Sequence, residues 1–183
     1  MIEMTPITLD VGCGDKPKGN INVDRFLQET SHRTRLVNLK EMNVPNLIKA
    51  DAHYLPLRND TFDVVYCHQL LEHKGVEYVA VIKELLRVSR NKVNIEVPSQ
   101  LCGSTRSPAH DKTFTKHTFE IIFRNYERKI DYTRRIWKYV NMPINFLRAI
   151  TRRIPLSVPC PVPTGIRVEV WKTKSPEIMT EII

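Results

Sequence analysis

The most informative segment of this sequence is Ile7-Thr8-Leu9-Asp10-Val11-Gly12-Cys13-Gly14. A short β-branched and apolar run that stops at glycine is typical of a buried strand followed at once by a tight turn. Glycine is scarce, with 6 among 183 residues, yet Gly12, Gly14 and Gly19 all fall within eight positions after the run. This concentration predicts a backbone that turns sharply and approaches a ligand closely.

Strand-like and helix-like segments alternate along the chain beyond this stretch. The predicted strands cover residues 7–11, 20–24, 47–51, 62–67, 92–97, 128–137 and 166–171. The predicted helices cover residues 76–89, 118–125 and 140–154, and the last of them is basic. Strands separated by helical stretches predict an α/β fold, with helices on both faces of a parallel sheet.

The glycine-rich loop differs from the loops that bind dinucleotides. In Gly12-Cys13-Gly14-Asp15-Lys16-Pro17 a proline occupies the position of the third glycine of that fingerprint. The acid that ends the second predicted strand, Asp24, comes only ten residues after Gly14 instead of the usual distance of about 20. Because carboxylates flank the loop, it suits a ligand with a neutral or cationic part better than one with phosphates.

Six ordered motifs between residues 7 and 120 resemble the class I S-adenosylmethionine-dependent methyltransferases, and most closely the small type 11 branch. The first is Leu9-Asp10-Val11-Gly12-Cys13-Gly14, and the other five follow it at spacings that fit this family. They are Asp24, Asp51-Ala52, the segment from Leu55-Pro56 to Phe62-Asp63-Val64-Val65, His68-Gln69-Leu70-Leu71-Glu72-His73, and Glu84-Leu85-Leu86-Arg87-Val88.

The resemblance implies a Rossmann-like fold with a mostly parallel seven-stranded sheet flanked by helices. The length of 183 residues predicts one domain, because a typical domain holds roughly 100–200 residues. Within it we expect a cofactor-binding half at 1–98 and an acceptor-side half at 99–183. Too little chain separates Gly14 from the second strand for a full helix, so we expect the first helix to be reduced or missing. At Arg90-Asn91-Lys92 we expect a turn in which Asn91 adopts the left-handed conformation of a glycine.

The resemblance also implies the cofactor, S-adenosylmethionine, with S-adenosylhomocysteine as its product. Gly12 and Gly14 would let the backbone pass close to the cofactor, and the Asp24 carboxylate would accept hydrogen bonds from the ribose hydroxyls. Asp51 and Ala52 would line the adenine. The implied cofactor-binding set is Asp10, Gly12, Cys13, Gly14, Asp24, Asp51, Ala52 and His68. For Asp24 and Asp51 the alternative role is that of a helix-cap or turn residue.

The acceptor is expected to be a polar or amphiphilic small molecule or conjugate that the sequence does not identify. A general base is needed only for an acceptor that keeps its proton, such as a hydroxyl. Candidates for this base lie in the stretch after the fifth predicted strand, and they are His110, Asp111 and His117. We choose His110 as the candidate catalytic base because of its intrinsic pKa. A structural loop contact is the alternative role for this histidine. The four cysteines form no CxxC pair, and we predict no metal site.

Nearly all the excess positive charge lies in residues 121–160, which carry nine basic and two acidic side chains, a net of +7 out of +8 for the whole chain. This segment overlaps a basic insert at about 138–164. It is a candidate surface for an anionic partner, either RNA, a glycan or a lipid headgroup, or else a solvated basic face. The alternative functions are therefore an RNA methyltransferase and a non-catalytic adaptor that binds a polyanion or a membrane surface.

Hydropathy and cysteine usage bear on location. No apolar run reaches the roughly 18 residues needed to cross a bilayer, and residues 1–5 show no signal-peptide pattern. We therefore expect a cytoplasmic protein that does not span a membrane and whose thiols are reduced.

Overall fold

The computed structural model describes residues 5–26, 44–99, 109–133, 136–137, 158–159 and 164–172. Nine strands and two helices lie in these ranges. They are β1 (Thr8–Val11), β2 (Ile21–Asp24), β3 (Leu47–Lys49), β4 (Phe62–His68), α1 (Tyr78–Val88), β5 (Ser89–Pro98), α2 (Lys116–Ile122), β6 (Glu127–Thr133), β7 (Ile136–Trp137), β8 (Val158–Pro159) and β9 (Gly165–Trp171). The predicted helix at 140–154 and most of the basic insert lie outside the described residues.

Seven of the strands form one sheet in the order β3-β2-β1-β4-β5-β9-β6. The five strands from β3 to β5 are mutually parallel, whereas β9 runs antiparallel to both β5 and β6. This arrangement confirms the predicted α/β, Rossmann-like fold with a mostly parallel seven-stranded sheet. Residues 12–20, between β1 and β2, contain turns and no helix, which confirms that the first helix is missing.

The core lies along the central strands and beneath α1. Leu9 and Val11 of β1 are fully buried, as expected for a strand with neighbours on both sides. The apolar positions of α1 recur at helical spacing, and the helix packs against β4 and β5. Its buried residues are Val81, Ile82, Leu85, Leu86 and Val88.

Helix α2 begins at a capping box, in which the Thr115 hydroxyl accepts a hydrogen bond from the Thr118 backbone N–H. Its Phe119 is fully buried and stacks on Phe114, with ring centroids 5.4 Å apart. Phe114 in turn meets the ring of Tyr78 on α1 edge to face, at 5.5 Å. These aromatic contacts join α2, through Phe114, to α1.

Two local predictions are wrong. β5 begins at Ser89, directly after α1, so Asn91 is extended within a strand instead of turning. The left-handed non-glycine residues of the described ranges are Asn46, Asp60 and Gln69. In addition, the strand predicted over 128–137 is divided: β6 ends at Thr133, and β7 pairs with β8 in a separate two-stranded sheet.

Candidate active site

The carboxyl ends of the parallel strands meet at one edge of the sheet, which is where ligands bind in open α/β sheets. The register aligns Val11 of β1 with Val23 of β2, and Asp24 with Lys49 of β3. The motif residues that follow β1, end β2, follow β3 and end β4 are thereby brought to the same edge. These residues are Gly12, Asp24, Asp51 and His68.

The loop after β1 has a backbone that only glycine adopts easily. Gly12 and Gly14 have φ values of +73° and +55°, in the left-handed region. A Cβ on Gly12 would also lie 3.0 Å from a methyl carbon of Leu70, whereas one on Gly14 would meet nothing within 4 Å. Gly19 has a different role, because its Cβ would lie 2.6 Å from the backbone nitrogen of Asp10. It lets the end of the loop pack directly on β1.

The Asp24 carboxylate holds the glycine loop to the end of β2. Its Oδ2 accepts a hydrogen bond from the Gly14 N–H at 3.0 Å, and its Oδ1 accepts one from the Phe26 N–H at 2.9 Å. The N–H groups of Gly12 and Cys13 both donate to the Val23 carbonyl. A carboxylate has about four lone-pair sites, so each Asp24 oxygen can accept a further hydrogen bond from a ligand.

Asp10 of β1 and Cys13 of the glycine loop, both in the predicted cofactor set, are buried. The Asp10 side chain is 3% exposed and accepts a hydrogen bond from the Lys18 N–H at 2.8 Å. Burial raises the pKa of Asp10. Burial, together with the charges of Asp24 and Asp10, raises the pKa of the Cys13 thiol to about 12. Cys13 is therefore a neutral thiol, and Asp10 anchors the far end of the loop.

Asp51 is oriented by His53, a residue that the sequence analysis missed. The His53 backbone N–H donates to Asp51 Oδ1 at 2.9 Å, and the His53 ring contacts the same oxygen through Nδ1. Because the Glu77 N–H donates to His53 Nε2 at 2.8 Å, the ring carries its hydrogen on Nδ1 and points it at Asp51. These hydrogen bonds lower the pKa of Asp51. Asp51 Oδ2 remains for a ligand beside the half-buried Ala52.

His68 is the last residue of β4 and lies beside the glycine loop. The Lys18 ammonium contacts its Nδ1, so that ring nitrogen is the acceptor. Burial, and next the charge of Lys18, lowers the pKa of His68 to about 4. The histidine is therefore neutral at physiological pH. Lys18 thus places a cation beside His68, a contact that no motif in the sequence indicates.

His110, the predicted catalytic base, lies beside the segment that follows β4. It forms an antiparallel backbone bridge with His73, and the two rings meet edge to face at 4.8 Å. Next to them is Glu72, which is only 1% exposed although it is an acid. Burial raises the pKa of Glu72 to about 7. Sequence reasoning missed this cluster, since it treated Glu72 and His73 only as part of a family motif.

Comparisons with known proteins agree with this geometry. Residues 9–95 match the family model for a methyltransferase domain. An uncharacterized protein of Methanocaldococcus jannaschii is 33% identical over 89 residues, which make up 47% of this chain and 37% of that protein. The chain thus spans little more than a third of the length of this curated relative.

Solved structures share the fold. A SAM-dependent methyltransferase of Archaeoglobus fulgidus has a TM-score of 0.58 and 17% identity, over 91% of this chain and 86% of that chain. The plantazolicin methyltransferase BpumL, crystallised with S-adenosylhomocysteine and a triazolic substrate analogue, has a TM-score of 0.56 and 17% identity, over 94% of this chain and 79% of that chain.

The sheet order and the segment 9–95 are thus similar to those of a methyltransferase domain. These matches agree with the resemblance predicted from the sequence, and the solved neighbours include SAM-dependent methyltransferases, which use the cofactor that the resemblance implies. Among the described residues, no helix is long and apolar enough to cross a membrane.

Proposed function

We propose that this protein transfers a methyl group from S-adenosylmethionine to a polar or amphiphilic small molecule or conjugate. One observation carries the proposal. The left-handed glycine loop and the Asp24 carboxylate lie within hydrogen-bond distance of each other at the ligand-binding edge of the sheet. The proposed cofactor residues are those predicted from the sequence, with His53 added as the residue that orients Asp51.

The charges of this edge suit the cofactor. Asp10 and Asp24 flank the glycine loop, and carboxylates favour a ligand that carries a sulfonium and an ammonium group. The Asp24 oxygens can each accept a hydrogen bond from a vicinal diol, as a ribose presents. The exposed Lys18 supplies a counter-charge for a carboxylate, which the methionine part of the cofactor carries.

The protein has little covalent chemistry to perform in this reaction. When bound, S-adenosylmethionine supplies a methyl carbon that is activated by the sulfonium. The cofactor would donate this methyl carbon to a lone pair of the acceptor, and the electrons of the C–S bond would return to sulfur. The protein contributes mainly alignment. For a hydroxyl acceptor the leaving proton needs a recipient, and His110 is our proposed base.

The cofactor proposal is tested by calorimetric titration with S-adenosylhomocysteine. Asp24→Ala should weaken binding by about 1.5–3 kcal/mol, the range for hydrogen bonds to a charged group. Asp131→Ala is the matched control, because Asp131 is an exposed acid on β6 whose partner is Lys129. Equal affinity of the wild type and Asp24→Ala would contradict the proposed ribose site.

A cytoplasmic location and an anionic partner at residues 121–160 also remain proposals. The nine basic side chains of that segment support the proposal of an anionic partner. Arg124, Arg128 and Lys129 lie in its described part, and all three are exposed.

A further inference from the structure

We propose that Glu72, His73 and His110 together bind one divalent transition-metal ion of the zinc type on the acceptor side of the domain. One candidate ligand atom from each residue lies within 4.8 Å of those of the other two. Two histidines and one glutamate form a ligand set that zinc uses in catalytic sites. The proposal departs from the sequence prediction of no metal site.

Backbone pairing holds the three residues together. The Lys74 N–H donates to the Ala109 carbonyl at 3.0 Å, and the Asp111 N–H donates to the Glu72 carbonyl at 3.2 Å. These hydrogen bonds flank the bridge between His73 and His110. The fold therefore fixes two segments that are far apart in the sequence, and no motif spacing could show the site.

Glu72 supplies a second, independent observation. Its side chain is almost completely buried, and neither carboxylate oxygen has a hydrogen-bond partner among the described residues. Buried polar groups are nearly always paired, because an unpaired one loses its hydration without compensation. Protonation would remove the charge but would leave a hydroxyl and a carbonyl oxygen unpaired. A cation bound by the carboxylate satisfies the group.

The hydrogen bonding of His73 is typical of a histidine that ligates a metal. Its ring Nε2 donates to the Gln69 carbonyl at 3.1 Å, which leaves the ring lone pair on Nδ1. Histidines that ligate metals almost always donate their other N–H to a carboxylate, carbonyl or water. Gln69 has a left-handed backbone with φ +57°, and its own N–H donates to the Glu96 carbonyl at 2.7 Å. This turn directs the Gln69 carbonyl toward His73.

The three ligand atoms need to move only slightly closer together to bind one metal ion. Ligands at about 2.0–2.2 Å from a tetrahedral zinc ion are about 3.4 Å apart, so rotation of the side chains can close the cluster. Three protein ligands leave a position for water or an acceptor oxygen, as in catalytic sites. A bound metal lowers the pKa of such an oxygen. His110 would then be a ligand instead of a base, and this role in catalysis rests on the proposed function.

Zinc binding to the full chain, freed of metal with a chelator and carrying no histidine tag, tests the site. Titration calorimetry and metal analysis after dialysis should show one Zn²⁺ per chain. Glu72→Gln and His110→Ala should each weaken binding at least 100-fold. The matched control is the double variant His117→Ala/Glu120→Gln, which removes an exposed pair of the same residue types on α2, 3.4 Å apart. It should bind Zn²⁺ like the wild type.

Two results would overturn the site: no Zn²⁺ bound by the wild type, or undiminished binding in both single variants, which would place the ion elsewhere. Circular dichroism establishes that each variant is folded, and if Glu72→Gln is not, His110→Ala decides. Titration of the same samples with S-adenosylhomocysteine separates the two proposals. Cofactor binding without zinc refutes only the metal site, and zinc binding without the cofactor refutes only the proposed function.

Discussion

At the residue scale, His68 predicts a pH dependence of stability. Its pKa lies near 4 in the folded protein against an ordinary value of 6.5, so between these values the unfolded chain binds more protons. Stability is therefore lost as the pH falls from 6.5 toward 4. Because the ring is partly exposed to solvent, we expect a loss of roughly 1–2 kcal/mol, well below the full value of the shift.

Urea unfolding at pH 7.0 and pH 4.5 measures this loss. His68→Gln should lose less stability than the wild type over the same interval, since glutamine does not titrate. The comparison between the two proteins matters because other groups, Glu72 among them, titrate in this range with the opposite sign. Identical pH dependence in both proteins would show that His68 is readily protonated in the fold.

The residues that the sequence predicted are those whose roles depend on the local geometry of the backbone. Gly12 and Gly14 were found because a left-handed turn demands glycine next to a strand, and Asp24 because it ends the following strand. Glu72 and Lys18 were missed because their significance depends on contacts across the sheet edge. Whether the predicted residues contact the cofactor stays a prediction until binding is measured.

At the element scale, the two helices differ in how they begin. α2 has a complete capping box at Thr115, whereas Glu77 at the N-cap of α1 makes no side-chain hydrogen bond to the helix. Thr115→Ala should lower the free energy of unfolding by about 1 kcal/mol, and Glu77→Asp should raise it by up to about 1 kcal/mol. Urea unfolding of each variant checks both values.

Lys83→Ala is the control for these caps, because Lys83 is exposed in the middle of α1. Its effect should stay within about 0.5 kcal/mol. A stability for Glu77→Asp equal to or below that of the wild type would mean that the hydrogen bond from the Glu77 N–H to His53 already fixes the helix start.

Hydrophobic periodicity predicted the helices and strands that bury one face. It did not predict how one element connects to the next. α1 and β9 lie within a residue or two of their predicted bounds, since their apolar residues alternate at the helix and strand periods. The turn expected at Asn91 is absent because the Ser89 N–H, at the C-cap, still bonds to the Leu85 carbonyl while its backbone is already extended. A chain that passes from helix to strand without a loop leaves no turn signal.

At the scale of the whole molecule, the charge is unevenly distributed. Residues 1–120 carry 16 basic and 15 acidic side chains and have almost no net charge, whereas residues 121–160 carry a net charge of +7. Methyl transfer from the cofactor and polyanion binding by a non-catalytic adaptor would thus depend on different parts of the chain. A methyltransferase would bind its cofactor through the glycine loop and the acidic residues at the sheet edge. A polyanion-binding adaptor would bind its ligand through the basic segment.

Thermal unfolding separates these alternatives in the intact protein. A ligand at 100 times its Kd stabilises the native state by about 2.7 kcal/mol, which for a chain of this size raises the Tm by roughly 5–10 °C. We expect S-adenosylhomocysteine to do this for the wild type, at low and at high salt, and to have a smaller effect on Asp24→Ala. A Tm that rises only with single-stranded RNA, and less as salt increases, would favour the adaptor, because binding through released counterions weakens steeply with salt.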